Sequence, residues 1–355
     1  MNQAYQELGT RWEQLKKDNP ALRIRNAAEV LGVSEAELLA TRTGEGVIRL
    51  RSDAKGIMAR IESLGEVMAL TRNDAMVHEK TGQYKDLSIH GNMGLALGVI
   101  DLRVFFNRFE TAFAVREDSP VGERRSLQFF DEYGEAVHKI YAREATDIEA
   151  FDALIAEFTS DDQEASVDVS PRVSEPAEDH PLDVEALEQG WSELKDVHHF
   201  LALLKKHKTT RATAYRAVRD DYARQVTSTA FEAALTSAAE TQLSIMVFVG
   251  SPGVIQIHTG PVKHLKRTGP WFNVLDPGFN LHADTTQIGQ AWVVRKPTSD
   301  GIVTSLEVFD TDGEQLALMF GERKNGEPEN PAWQALIASI EADFSLVEAT
   351  AGEVS

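Results

Sequence analysis

Apolar positions fall at helical spacing through the first forty residues and at alternate spacing after them. Trp12 and Leu15 mark a first helix that breaks near Asn19-Pro20, and Arg25–Leu31 and Ser34–Leu39 mark two more. Ser34 with Glu37 three residues on forms a capping box, in which each side chain satisfies the other residue's free amide. Alternating stretches near 45–52, 66–78, 111–117, 123–131 and 135–143 predict strands, with turn residues at Asn73-Asp74, Gly82 and Tyr133-Gly134. A helix, Ile148–Phe158, closes this stretch. The order then begins again. A long amphipathic helix is expected over Val184–Lys206 and another around Arg211–Val218. Strands follow near 244–249, 254–259, 271–276, 281–284, 290–295, 302–309 and 315–320, and helix Pro331–Phe344 ends the series. Turns at Ser251-Pro252-Gly253 and Asp312-Gly313 predict antiparallel hairpins, so each half reads as α+β, with a large antiparallel sheet flanked by helices.

The order begins again in letters too. Trp12, Leu15 and Lys16 return as Trp191, Leu194 and Lys195, and Ala112 to Arg116 return as Ala291 to Arg295. Ser126-Leu127 with Asp131, Gly134 and Glu135 return as Ser305-Leu306 with Asp310, Gly313 and Glu314. One constant offset through three motifs marks a tandem duplication. The expected domains are an N-terminal repeat over 1–160, a linker over 161–184, a C-terminal repeat over 185–347 and a tail over 348–355. The linker is acidic, Pro-containing and nearly free of aromatics, so it is expected to stay mobile. Two such units are expected to face each other across a cleft, a favoured place for a ligand.

Composition narrows the function. Among 355 residues the formal charge is −20, which gives nothing to counterion release on a phosphate backbone, so no specific nucleic acid is expected. There is no cysteine, which excludes disulfides, thiolate metal sites and cysteine nucleophiles. No signal-peptide pattern and no apolar run of spanning length is seen, so a cytoplasmic protein that is not membrane-embedded is expected. The helix pair at 25–38 has the outline of a helix-turn-helix. Its second helix opens Ser34-Glu35-Ala36-Glu37, and carboxylates there have the wrong sign for DNA, so a packing motif is the better reading.

Chemistry is sought where the copies differ. After Leu194 the second copy carries Asp196-Val197-His198-His199-Phe200, where the first copy breaks at Asn19-Pro20. Paired imidazoles gained at one place suggest an iron ligand, against the plainer reading of surface or packing histidines. Arg103, among apolar neighbours, is offset to His282; it would pair with Asp101 or hold an anionic ligand. Arg295-Lys296 and Arg323-Lys324 would hold carboxylates if they face a cleft, or would be solvated strand ends. No phosphate loop, dinucleotide fingerprint or catalytic triad is present.

These residues together resemble the bacterial haemin-degrading and haem-trafficking proteins of the HemS/ChuS/PhuS type over essentially the whole chain. The segments that carry the resemblance are Ala27 to Leu38, Asp101-Leu102-Arg103, Asp196 to Phe200, Gln256 to Pro261 and Val294 to Pro297, with the duplication itself. The resemblance implies haem (iron protoporphyrin IX) bound between the halves, with His198 as the iron ligand and Arg103 on the opposite face. It also implies pocket or propionate contacts at Lys296 and Arg323, apolar contact from Phe248, and His199 as an alternate ligand. Implied partners are a downstream haem oxygenase or an inner-membrane haem importer. The resemblance leaves haem delivery and haem degradation with O2 and an electron donor both open. Two departures stand out: Leu201 occupies a place where some members carry another histidine, and Glu322 replaces a glutamine in the family's aromatic-Gly-Gln-Arg stretch.

Overall fold

The computed structural model describes residues 3–119, 122–172, 181–324 and 326–346. The expected tail and residues 173–180 of the expected linker lie outside them. The first repeat runs α1 (Gln3–Asp18), α2 (Ile24–Leu31), α3 (Glu35–Ala40), β1 (Val47–Leu50), α4 (Ala54–Arg60), β2 (Gly65–Arg72), β3 (Met76–Gly82), β4 (Ser88–His90), β5 (Met93–Ala96), β6 (Asp101–Phe105), β7 (Thr111–Ser119), β8 (Gly122–Phe130), β9 (Ala136–Thr146) and α5 (Ile148–Phe158). The second runs α6 (Val184–Ser192), α7 (Phe200–Lys206), α8 (Arg211–Ala217), β10 (Ala223–Val226), α9 (Ala230–Thr241), β11 (Ile245–Gly250), β12 (Val254–Gly260), β13 (Leu265–Thr268), β14 (Trp271–Asp276), β15 (Phe279–Asp284), β16 (Gln290–Thr298), β17 (Gly301–Phe309), β18 (Gln315–Gly321) and α10 (Pro331–Phe344). Strands β16 and β17 begin and end 179 positions after β7 and β8, so the duplication holds residue for residue through that hairpin. The fold is α+β in two similar halves, with two large antiparallel sheets.

Two compact units divide the chain. One comprises residues 1–72, 78–175 and 250–256, and the other 73–77, 176–249 and 257–355. In the first unit the strands run β1-β7-β8-β9-β2-β3, with β4-β5-β6 as a further meander. One sheet face packs on α4 and α5 through Ile57, Phe151, Leu154 and Phe158; the other packs on α3 through Ala36, Leu39, Phe113 and Phe130. The second unit repeats this with β10-β16-β17-β18-β11-β12 and β13-β14-β15. Its inner face meets α9 and α10 through Phe231, Leu235, Trp333 and Ile337. Its outer face meets α6, α7 and α8 through Trp191, Phe200 and Tyr215.

Four sequence expectations are corrected. The long helix over Val184–Lys206 is two helices, because Asp196 accepts from the His198 amide and starts a short 3-10 turn, Val197–His199, between them. The stretch 66–78 is not one strand but parts of β2 and β3, turned where Asn73 Oδ1 accepts from the amides of Ala75 and Met76. Helices α4 and α9 and strands β4, β5, β6, β10 and β13 were not foreseen. Residues 161–172 are not free: Ser170 donates its amide to Glu132, Arg49 bonds the carbonyls of Glu164 and Ser166, and Tyr5 bonds that of Val167. The helix-turn-helix outline is a packing motif. Glu35 of α3 is buried against Lys139, and Ala36, Leu38, Leu39 and Ala40 are buried with it.

Candidate ligand site in the second unit

Register and alternation define the outer face of the second unit's sheet. Across four strands one row reads Trp292, Glu307, Leu318 and Phe248. Helices α6 to α8 cover the β16–β17 end of that face, where Trp292, Val294 and Phe309 join the same core as Trp191, Phe200 and Tyr215. At the β18–β11 end the cover stops. Met246, Phe248, Leu318 and Phe320 are only half-buried, and Phe248 meets Phe320 edge-on at 5.2 Å. The corresponding row in the first unit reads Phe113, Gln128, Lys139 and Leu70, and there the buried Lys139–Glu35 pair to α3 closes the face. An apolar strip is therefore left open in the second unit only at the place where the first fills it with an ion pair.

The two histidines stand on the cover. Phe200 is fully buried, packed against Trp191 at 4.5 Å and flanked by Tyr215. The Ser299 amide donates to the Lys195 carbonyl at 3.0 Å, and the Trp191 indole donates to the Arg295 carbonyl at 2.8 Å. Residues 196–199 are thus held at both ends. His198 projects outward with its side chain 82% exposed. Asp196 Oδ1 takes both the His198 amide, at 2.8 Å, and its Nδ1, at 2.6 Å. The first of these contacts does most to hold the Asp196 carboxyl below its ordinary range. With Nδ1 bound to a carboxylate, Nε2 presents its lone pair outward, the arrangement that orients metal-binding histidines. His199 is exposed beside it and lacks such a carboxylate partner among the hydrogen bonds of the turn.

Lys296 is neither a solvated strand end nor open to a ligand. It is 3% exposed, donates to Glu307 at 2.6 Å, and sits 4.7 Å over the Phe200 ring. Glu307 also accepts from Tyr215 at 2.7 Å and from Ser305 at 2.8 Å, and faces Arg211 at 3.5 Å. Burial alone would raise its carboxyl, but Lys296 and Arg211 outweigh it and hold the group well below the usual carboxylate range. Burial pulls the Lys296 ammonium down, against the attraction of Glu307. Arg323, just past the half-buried Phe320, has a buried Nε with no hydrogen-bond partner among the described residues. It is suited to an acceptor brought by a ligand.

His198, His199, Phe248, Lys296 and Arg323 all belong to the second unit, and Arg103 to the first. Arg103 lies on β6, half-buried, and its Nη1 bonds Asp101. Sequence reasoning missed Asp196 as the orienting group and the Glu307 cluster beneath Phe200. A carboxylate two residues before a histidine was a signal for the first; Glu307 in place of Gln128 was the signal for the second. Among the described residues no group of three or more His, Cys, Asp or Glu could hold a bare metal ion, and no helix is long and apolar enough to cross a membrane.

The chain matches the Haemin-degrading HemS.ChuX domain twice, over residues 32–158 and 208–340. It is 41% identical over 329 residues to the hemin transport protein HmuS of Yersinia pestis, covering 92% of this chain and 95% of that one. Among solved structures it is similar to holo-PhuS, a heme-binding protein from Pseudomonas aeruginosa, with 44% identity, a TM-score of 0.92, and coverage of 96% of this chain and 99% of that one. It is also similar to the heme degrading enzyme ChuS of Escherichia coli O157:H7, with 39% identity, a TM-score of 0.88, and coverage of 94% and 99%.

Proposed function

Because the chain belongs to the family of the Haemin-degrading HemS.ChuX domain, we propose that it binds haem in the cytoplasm through His198 and carries it within haem uptake. The observation that carries this reading is the carboxylate-oriented, outward imidazole of His198, fixed on a turn anchored at both ends. Residues farther along the same sheet of the second unit suit a flat, apolar, doubly anionic ligand. Met246, Phe248, Leu318 and Phe320 offer apolar contact on the same sheet face, and Arg323 offers an unpartnered donor for a carboxylate. Arg103 is assigned to the other side of the haem, and His199 to an alternate ligand. Haem would arrive from an inner-membrane importer or leave for a downstream oxygenase. Curated relatives of transport function support carriage.

The test is an absorption titration of the wild-type protein, His198→Ala and His199→Ala with haem. One haem per chain is expected, with a disturbed Soret band and weaker binding in His198→Ala and a smaller change in His199→Ala. The opposite ranking would move the ligand to His199. Degradation is the second reading, favoured by the similarity to a heme degrading enzyme. Incubating the haem-loaded protein with a reductant and O2, with catalase present to remove free peroxide, separates the two: a stable Soret band means carriage, and its loss means ring opening.

A further inference from the structure

We propose that Glu307, through Lys296, Arg211 and Tyr215, is the positioning residue that fixes the His198 turn. The inference rests on His198 being the haem ligand. The path is short and runs through direct side-chain contacts. His198 is two residues before Phe200, and Phe200 is the only side chain of residues 196–200 that is fully buried. Its ring is bounded by Lys296 Nζ at 4.7 Å and the Arg211 guanidinium at 5.2 Å, with Trp191 and Tyr215 completing the walls. Three of these four walls converge on one carboxylate: Lys296, Arg211 and Tyr215 all meet Glu307. Glu307 itself is held in place: it pairs with Trp292 and Leu318 on the neighbouring strands, is fully buried and takes a further bond from Ser305.

The sister repeat shows that the fold does not need this cluster. At the same register position the first unit has Gln128 bonded to Ser126, with Phe113 and Phe130 packed around that face. The counterparts of Lys296 and Phe200 by the constant offset are Glu117 and Ala21, and no histidine stands near Trp12. The Lys296–Glu307 pair, the aromatic seat and the imidazole turn occur together in one repeat, whereas the other carries the Lys139–Glu35 pair to α3 on that face and has neither the seat nor the imidazoles. A buried carboxylate facing two cations is costly unless its geometry is kept, which makes it a stiff anchor for the ring above it.

The test uses Glu307→Gln, the residue the sister repeat carries, and the double variant Glu307→Gln/Lys296→Met, which removes the pair and leaves an apolar chain under Phe200. Two readouts are taken in the full chain. The first is the His198 imidazole signature in haem-free protein by NMR, which reports whether Nδ1 stays on Asp196. The second is haem affinity and the Soret band. Glu307→Gln is expected to give mixed His198 signatures, at least tenfold weaker haem binding and a heterogeneous Soret band, with the double variant returning toward wild type. An unchanged imidazole signature in Glu307→Gln overturns the proposal, and so does equal damage in single and double variants, which would mean packing alone. If Glu307→Gln does not fold, Tyr215→Phe, which removes one bond to the carboxylate and keeps the ring, is expected to give the same change in milder form; an unaltered signature there is equally adverse. Failure of the His198 reading is separate, since it would appear as normal haem binding in His198→Ala while the haem-free signature still reports on positioning.

Discussion

A histidine stays neutral inside a protein when burial makes its charge too costly and both ring nitrogens find partners. His138 does so in the first unit. Tyr84 donates to its Nε2 at 2.5 Å, and its Nδ1 donates to Thr71, whose hydroxyl donates in turn to Gln256 Oε1 at 2.9 Å. Gln256 continues the chain to the Ala69 carbonyl and to His78 Nδ1. Burial brings the His138 pKa down from 6.5 to about 3. The unfolded chain therefore binds more protons than the folded one between those values. This contribution to stability is intact above pH 6.5 and is lost as pH falls toward 3, by about 1.4 kcal/mol per unit. Urea midpoints measured between pH 7 and pH 4.5 should fall on acidification, and less steeply in His138→Gln. At the second unit's surface, Asp196→Ala removes a cap worth about 1 kcal/mol locally and frees the imidazole. It should weaken haem binding while global melting stays near wild type, measured by a haem titration beside a thermal scan. Arg103→Ala loses a half-exposed ion pair with Asp101, worth about 0–1 kcal/mol, so melting should hold. If Arg103 faces haem, the visible spectrum of the loaded variant should change; an unaltered spectrum removes it from the site.

Among elements, β18 and α10 depend on a missing side chain. A Cβ on Gly321 would lie 2.6 Å from Trp333 Cβ, and Trp333 is fully buried with its indole donating to Thr304. Gly321→Ala should cost about 1–3 kcal/mol through overpacking, seen as a lower denaturant midpoint. It should also disturb Phe320, its neighbour on the open strip. The helix-and-hairpin outline was legible because alternation and turn residues are local signals: β7, β8, β16, β17 and the capping box at Ser34 needed no long-range information. The break between α6 and α7 was not. Leu187, Trp191, Leu194, Phe200 and Leu203 are all buried, and a run of such residues reads as one helix unless Asp196 is seen to compete for the backbone. The turn that carries His198 stood out in the sequence because the copies differ there. Lys296 was misjudged because its partner Glu307 lies on the next strand, and cross-strand pairing is invisible to spacing along one strand.

On the scale of the whole molecule, the repeats in sequence and the compact units are not the same partition. Residues 250–256 count with the first unit, and 73–77 with the second. A fragment ending at residue 172 keeps the first repeat but lacks Gln256, the partner of Thr71, His78 and the Ala69 carbonyl, and Ser251, which bonds the Val137 carbonyl. Leaving such buried groups unpaired costs about 1–3 kcal/mol each. The fragment should melt well below the full chain by circular dichroism, and adding a 250–256 segment through a short linker should recover part of the loss. A different consequence belongs to the short span 196–199. With one end hydrogen-bonded through Lys195 to Ser299 and the other plugged into the core by Phe200, it has no slack to unfold locally. The remaining freedom is rotation about the line joining those two points, and neighbouring residues of a helical turn differ by about 100° in direction. Bringing one imidazole to the direction of the next is then a twist about that line, made with both anchors kept.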